Sequence, residues 1–330
     1  MRKQEDKSAM QTAITLTHQS TELAEVINTE RLTQLLSLFN QAMDLRVRAQ
    51  EIASNTAQAY ARGAERFIQW QALNGSGSGL ADTIREWKAA MIENGSKPAA
   101  INTWLAGVRA LFAWASESGL IAGNPASSIK GAQRKGTKKR HARESLSDLE
   151  ARRLLAMPDT GTAQGKRDAS ILSIMLYTAA RGVELHRADL ADLQTQGGRL
   201  VLFVQGKGHG EKDDFIVIAH AESALRDWLG VRGSKAGALF CSLSNRSAGE
   251  RLSLQAYRAM IKDYMRLAGV QGNKSTHSLR HTAITKAISE GVPLHKVSKG
   301  LARHASMDTT MIYFHELDRL TDPAEDHINY

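Results

Sequence analysis

A strongly basic segment near the middle of the chain divides it into two blocks. Between positions 130 and 143, seven of fourteen residues are lysine or arginine, and none is aspartate or glutamate. A segment so charged and so poor in apolar side chains cannot bury a core of its own, so we predict a linker over residues 129–145. Its basic residues are Lys130, Arg134, Lys135, Lys138, Lys139, Arg140 and Arg143.

The blocks on either side are long enough to fold separately. A chain of 330 residues with 42% hydrophobic content is typical of about two globular domains. We predict an N-terminal extension over residues 1–50, a helical domain over 51–128 and a second domain over 146–317. The polar tail, residues 318–330, is long enough to dock on a neighbouring subunit.

Charge and composition narrow the function. A net charge of +9 and an isoelectric point near 9.6 favour a polyanionic partner, either nucleic acid or an anionic membrane surface. The basic linker is then a solvated hinge or, as we favour, a strap across a phosphate backbone. The single cysteine, Cys241, excludes an internal disulfide and is predicted to lie in a core. No apolar run approaches about 20 residues and no apolar segment follows Met1, so we expect a soluble, cytoplasmic protein.

The N-terminal block has the apolar spacing of helices. We predict a helix over about 21–53, which either packs on the domain or contacts another subunit. The segment Ser54-Asn55-Thr56 is the candidate cap of a second helix. A third helix is predicted over Leu80–Glu93, and Pro98 is predicted to begin a fourth.

The C-terminal block is predicted to be mainly helical with a small antiparallel sheet. Ser147 and Glu150 have the spacing of a capping box. Helices are expected to about residue 188 and again from residue 252. Two strands, over 199–205 and 214–219, are indicated by β-branched and aromatic residues on either side of a glycine-rich turn.

Two basic residues in this block are candidate ligands for an anion. Arg181 follows an apolar helical segment, and Glu184 can lie beside it if a helix continues, so the two form either a structural ion pair or part of a phosphate site. Lys207 stands between Gly206 and Gly208 at the tip of the predicted hairpin, where small neighbours allow close approach to a ligand. The spacing is not that of a P-loop.

The most informative motif is His277-Ser278-Leu279-Arg280-His281. On a helix, His277, Arg280 and His281 share one face, and a cap at Ser275 or Thr276 would place that face where the helix dipole favours an anion. A zinc site of His277, His281 and His304 is the alternative. It lacks the glutamate of His-Glu-x-x-His, and Arg280 would repel the cation, so we predict no metal.

A histidine and a tyrosine complete the set. Tyr313 stands nine residues after His304. Two arginines that bind a phosphate, histidines and a lysine that transfer protons, and a tyrosine that attacks phosphorus are sufficient for phosphodiester transfer without a metal.

These segments resemble the tyrosine recombinases, or phage integrase family, including the Xer-type and integron integrases. Family members carry an arginine in a Thr-Gly-Leu-Arg-like context followed by Glu-Leu, Gly-Lys-Gly in a hairpin, His-x-Leu-Arg-His, and Leu-Gly-His with the nucleophile nine residues later. The matches here are Arg181 with Glu184, Lys207, the segment 277–281, and His304 with Tyr313. The resemblance covers about residues 50–317. It departs at residues 301–304, Leu-Ala-Arg-His, where the glycine is replaced and one residue is interpreted as inserted.

The resemblance implies a mechanism. Tyr313 attacks the scissile phosphate and forms a 3′-phosphotyrosine, and Arg181 and Arg280 bind the non-bridging oxygens. His277 and His304 assist proton transfer from the tyrosine, and Lys207 protonates the leaving 5′-oxygen. Glu184 and His281 support the cluster. No cofactor is implied.

The resemblance also implies an assembly. Two domains enclose duplex DNA in a C shape, and a homo-tetramer joins two specific DNA sites through a Holliday junction. Integration, excision and resolution of mobile elements all remain open, as do the target site and any accessory proteins. Two rival functions remain: a relaxing enzyme like the type IB topoisomerases, and a DNA-binding regulator with a degenerate catalytic centre.

Overall fold

The chain forms two compact units, Met1–Thr137 and Lys138–Tyr330. We describe a computed structural model, which covers residues 29–75, 79–133, 144–206, 211–212 and 214–313. Each unit has its own hydrophobic core. Among the described residues, no helix is both long and apolar enough to cross a membrane.

The described part of the first unit is built from helices. Their bounds are α1 Thr29–Arg48, α2 Ser54–Asn74, α3 Leu80–Glu93 and α4 Pro98–Glu117. The predictions for α3 and for the start of α4 are confirmed. The helix predicted over 21–53 is present from residue 29 to residue 48, and residues 21–28 lie outside the described part of the chain.

The predicted cap of α2 is wrong by one residue. Ala53 holds the extended conformation of the cap, and its carbonyl accepts hydrogen bonds from the N–H groups of Thr56 and Ala57. Ser54 is therefore already helical, so its hydroxyl does not serve as the cap. It accepts a weak hydrogen bond from Gln58 Nε2 at 3.4 Å instead.

Aromatic rings fill the core of the first unit, and glycines let two helices approach. The ring of Phe67 packs edge-on against Trp87 and Phe112, with centroids 5.4 and 6.1 Å away. Where α2 crosses α4, a Cβ atom added to Gly107 would lie 2.4 Å from the carbonyl oxygen of Tyr60. The two backbones therefore touch directly at this crossing.

The last described residues of the first unit are held by side chains of α3 and α4. Arg109 donates to the carbonyl of Ile129, and Lys88 donates to the carbonyl of Lys130 at 2.8 Å. Asn102 bonds both the N–H and the carbonyl of Ala132. The first residues of the predicted linker thus pack on this unit, while the side chain of Lys130 stays exposed. The other six basic residues, Arg134, Lys135, Lys138, Lys139, Arg140 and Arg143, lie outside the described residues.

The second unit combines helices with one small sheet. The helices are α5 Asp148–Ala156, α6 Ala163–Thr178, α7 Gly182–Arg187, α8 Glu222–Arg232, α9 Leu254–Leu267 and α10 Thr276–Ser289. A π-helical turn spans Lys296–Leu301, and residues 308–313 are helical. The strands are β1 Leu193–Gln196, β2 Arg199–Val204 and β3 Asp214–Val217.

The sheet is antiparallel in the order β1-β2-β3, with Leu193 opposite Leu202 and Leu202 opposite Ile216. The mainly helical fold and the strands β2 and β3 confirm the predictions. Strand β1 was not predicted because its four residues, Leu-Gln-Thr-Gln, are mostly exposed and lack an apolar face.

Helix α6 lies at the centre of the second unit, packed against α8 and α10. Ile171, Leu172 and Ile174 are completely buried, and Cys241 lies in the same core, as predicted. The predicted capping box of Ser147 and Glu150 starts α5. This core fixes the end of α6, from which the candidate site begins.

Candidate active site

A residue in the left-handed backbone conformation ends α6 and precedes the first arginine of the site. Ala179 follows Thr178 with a φ of 52°, which turns the chain sharply, and Arg181 is the cap residue of α7. Arg181 Nη1 donates to Glu184 Oε1 at 2.6 Å, and its main-chain N–H donates to Oε2 at 2.8 Å. The predicted pairing is present, and the Arg181 side chain keeps 23% of its surface exposed.

Helix α10 carries the second arginine and two histidines. Ser275 caps the helix by accepting a hydrogen bond from the N–H of His277, as predicted. Leu279 enters the core, and Arg280 and His281 are buried as well. The side chain of His277 is exposed, and its ring centroid lies 5.2 Å from that of His281.

Main-chain carbonyls hold both arginines. Arg280 Nη1 donates to the carbonyl of Ala179 at 2.5 Å, and its Nη2 donates to the carbonyl of Ala302. Arg181 Nη2 donates to the next carbonyl, that of Arg303, at 3.1 Å. Two consecutive carbonyls after the π-helical turn therefore fix the two arginines relative to each other, and both contacts are made to main-chain oxygens.

The sequence prediction missed a third arginine at the site. Arg303 has a φ of 51°, in the left-handed region that favours glycine, and it stands directly before His304. We therefore interpret Arg303, rather than an inserted residue, as standing at the glycine position of Leu-Gly-His. Its Nη2 lies 2.7 Å from Glu184 Oε2, and its side chain is only 4% exposed. The replaced glycine was the available signal.

The tyrosine lies between two histidines. The ring centroid of Tyr313 is 4.9 Å from that of His281 and 6.4 Å from that of His304, and the tyrosine side chain is buried. His304 Nδ1 lies 2.7 Å from Thr310 Oγ1, within hydrogen-bond distance. Of these two histidines, His281 has the ring nearer to Tyr313, although it was predicted only to support the cluster.

Buried positive charge dominates the electrostatics of the site. Burial disfavours the charged form of Glu184, but the charge of Arg303 and the hydrogen bonds from Arg181 outweigh it, so the pKa of Glu184 is lowered. Burial, together with the charges of Arg181 and Arg303, lowers the pKa of Arg280 to about 9. A bound anion would relieve this repulsion, which is the electrostatic signature of a phosphate site.

Lys207 lies outside the described residues, on the segment that follows β2. Within the described ranges, no group of three or more histidine, cysteine, aspartate or glutamate side chains is placed to hold a metal ion. His277, His281 and His304, the three candidate ligands, thus do not form such a group.

Comparison with known proteins identifies the family of this chain. The family model described as "Phage integrase family" matches residues 144–319, which include every side chain of the cluster. The chain belongs to the phage integrase family. The resemblance to the tyrosine recombinases is confirmed, and with it the assignment to the enzymes that recombine DNA at specific sites.

Two curated relatives and one solved structure illustrate the family. The chain is 28% identical over 275 residues to tyrosine recombinase XerD of Pseudomonas aeruginosa, covering 80% of this chain and 87% of the relative. It is 31% identical over 240 residues to tyrosine recombinase XerC of Corynebacterium glutamicum, covering 71% and 73%. A lambda integrase tetramer bound to a Holliday junction has the same fold, with a TM-score of 0.63, 15% identity, and 86% and 76% of the two chains covered.

Proposed function

We propose that this phage integrase family member cleaves and rejoins duplex DNA at specific sites through a 3′-phosphotyrosine formed by Tyr313. The observation that carries the proposal is the position of that tyrosine between His281 and His304, in the same cluster as the buried Arg280. Attack on phosphorus forms the tyrosyl ester and releases a 5′-hydroxyl. The 5′-hydroxyl of a partner strand then displaces the tyrosine, so the bond energy is retained throughout.

Arg181 and Arg280 are proposed to bind the non-bridging oxygens of the scissile phosphate. Each guanidinium has five N–H donors, and the carbonyl contacts described above use only some of them. The transition state carries more negative charge on these oxygens than the ground state, so fixed donors lower the barrier. Removal of one such donor typically costs about 10²–10³-fold in rate.

The proton transfers are assigned to the other predicted residues. A tyrosine with an ordinary pKa of about 10 needs a proton acceptor near neutral pH. His277 and His304 are proposed to assist that transfer, and His281 to support the ring of Tyr313. Lys207 is proposed to protonate the leaving 5′-oxygen. A substrate with sulfur at that bridging position has a better leaving group, so it should restore cleavage to a Lys207→Ala variant.

The assembly is proposed to be a homo-tetramer on two DNA sites, with strands exchanged in pairs through a Holliday junction. The fold that the chain shares with the lambda integrase tetramer on such a junction supports this proposal. The predicted domains, 51–128 and 146–317, would both contact the duplex, and the tail over 318–330 would contact a neighbouring subunit. Sedimentation with and without a duplex site tests the assembly.

The basic linker, residues 129–145, is proposed to bind the phosphate backbone. Each phosphate contact releases counterions and contributes about 0.9 to the slope of log K against log salt concentration. Replacement of Lys138, Lys139 and Arg140 by alanine should therefore reduce that slope by up to about 3. An unchanged slope would mean that this segment is a hinge without DNA contacts.

The decisive experiment uses a nicked duplex that traps the covalent intermediate. DNA flanking the gene supplies candidate sites, and the reaction is run in EDTA and resolved on a denaturing gel. The wild type should give a slow-migrating protein–DNA band that Tyr313→Phe abolishes. Tyr177→Phe, a change at an exposed tyrosine, is the matched control and should keep the band.

Each other outcome points to a different function. A band that survives in Tyr313→Phe contradicts the nucleophile assignment. Binding without a band favours the degenerate regulator. Cleavage that needs only one site, with relaxation of supercoils, favours the topoisomerase-like alternative, because recombination requires two sites.

A further inference from the structure

Arg303, interpreted as standing at the position of the motif glycine, makes side-chain contacts that a glycine could not make. Arg303 holds a left-handed φ of 51°, a strained conformation that glycine would adopt without strain. In exchange, its side chain donates to Glu184 Oε2 at 2.7 Å and to the carbonyl of Leu301 at 2.9 Å. Strain of this kind persists only where the surrounding contacts hold the residue in place.

The two oxygens of Glu184 link the two arginines. Arg181 occupies Oε1 through its Nη1, and Arg303 occupies Oε2 through its Nη2. The Glu184 side chain is 1% exposed, so water cannot replace either contact. Without Arg303, one side of a buried carboxylate would lose its charged partner, and Glu184 would neutralise Arg181 alone.

The main chain of the same residue completes the cluster. The carbonyl of Arg303 accepts from Arg181, and the preceding carbonyl accepts from Arg280. A second carboxylate, Asp214 at the start of β3, lies 3.4 Å from Arg303 Nε, which makes no hydrogen bond among the described residues. The Arg303 side chain is thus anchored to α7, to β3 and to its own turn.

We infer that Arg303 is a positioning residue for DNA cleavage, which acts through Glu184 to hold Arg181 and keep the phosphate site positively charged. The inference rests on the proposed function, because it assumes that the arginine cluster receives the scissile phosphate. Arg303 itself does not touch the phosphate in this assignment, since its side chain is only 4% exposed and is paired with Glu184.

Single-turnover cleavage of the nicked duplex by the full-length protein tests the inference. Arg303→Gln removes the charge but keeps the length, and should slow cleavage at saturating DNA roughly 10- to 100-fold. The dissociation constant for DNA should stay within about twofold, because a buried residue contributes little to binding of the backbone. Arg303→Lys restores the charge and should recover part of the rate.

Arg303→Gly tests the effect of the side chain separately from the conformation of the turn. Glycine adopts the left-handed conformation without strain, so this variant should fold and keep the carbonyl positions. It should cleave as slowly as Arg303→Gln if the guanidinium is what matters. Cleavage at the wild-type rate by Arg303→Gly would overturn the inference, because the arginine would then be only a tolerated replacement.

A double-mutant cycle tests the route through Glu184. If Arg303 acts through that carboxylate, Arg303→Gln combined with Glu184→Gln should be no slower than the slower single variant. Rate losses that multiply would show that the two residues act independently and would contradict the inference. The proposed function is checked separately by the wild-type adduct and its loss in Tyr313→Phe.

Discussion

His304 Nδ1 lies 2.7 Å from Thr310 Oγ1, and Thr310 stands about one helical turn before Tyr313. Thr310 is completely buried, so a water molecule cannot take the place of its hydroxyl as the hydrogen-bond partner of the His304 ring. This contact sets the orientation of the imidazole, and therefore which of its nitrogens is available to the reaction.

Thr310→Val should slow cleavage about fivefold, because it removes a hydrogen bond worth roughly 1 kcal/mol while it keeps the shape of the side chain. Single-turnover cleavage of the nicked duplex measures the effect. Thr309→Val is the matched control, since that threonine is adjacent but exposed, and its rate should be unchanged. Equal rates for wild type and Thr310→Val would show that the Thr310 hydroxyl does not contribute to cleavage.

Arg280→Lys should be far more damaging than its conserved charge suggests. The guanidinium spans the carbonyls of Ala179 and Ala302, and a lysine ammonium cannot reproduce that fork. We expect cleavage to fall about 10²–10³-fold. Arg258→Lys, at an exposed position on α9, should have no effect. A loss below tenfold for Arg280→Lys would mean that charge alone is sufficient at this position.

Gly107→Ala should destabilise the first unit by about 2 kcal/mol or more, because the added methyl group would meet the carbonyl of Tyr60 and force α2 and α4 apart. Gly230→Ala is the opposite case. That glycine lies in α8 with no atom within 4 Å of an added Cβ, so the change should stabilise the second unit by up to about 1 kcal/mol. Chemical denaturation of both variants measures the two changes in the free energy of unfolding, which should have opposite signs.

Glu150 should make stability depend on pH. Burial raises its pKa, but the hydrogen bonds from Lys274 and from main-chain N–H groups dominate and lower the pKa to about 2, from a usual value of 4.5. A lowered pKa means that the stabilisation is present above about pH 4.5 and is lost as the pH falls towards 2. Glu150→Gln should therefore cost about 2 kcal/mol at pH 7 and progressively less in acid.

The control for this prediction is Asp148→Asn, two residues away on the same helix. Asp148 pairs with Lys286, but its side chain is 61% exposed, so solvent screens the pair and the loss should be smaller than that of Glu150→Gln. Denaturant titrations at pH 7, 4 and 2 measure both variants. A constant difference between Glu150→Gln and wild type at all three values would contradict the linkage.

Local sequence signals predicted the parts of the site that depend on helix periodicity. The spacing of His277, Arg280 and His281 placed them on α10, and Ser275 was one of two predicted caps, because both features depend on contacts within four residues. The pairing of Arg181 with Glu184 follows from the same rule. These features needed no knowledge of the tertiary structure.

The features that the sequence did not predict depend on contacts far along the chain. Arg303 reaches Glu184 across 119 positions, and nothing local to Arg303 indicates that partner. The proximity of His281 to Tyr313 likewise results from the packing of α10 against the last described helical residues. Strand β1 exists because β2 offers a partner for its main chain, not because of its own side chains.

The main-chain acceptors at positions 302 and 303 have an evolutionary consequence. A carbonyl oxygen is present whatever amino acid occupies the position, so substitutions there leave the two hydrogen-bond acceptors in place as long as the left-handed turn forms. Sequence drift at these two positions therefore leaves the main-chain contacts in place, and in this chain it changes only the side-chain contact to Glu184. A departure from Leu-Gly-His, such as the one in this chain, is then a poor criterion for classing a protein as inactive.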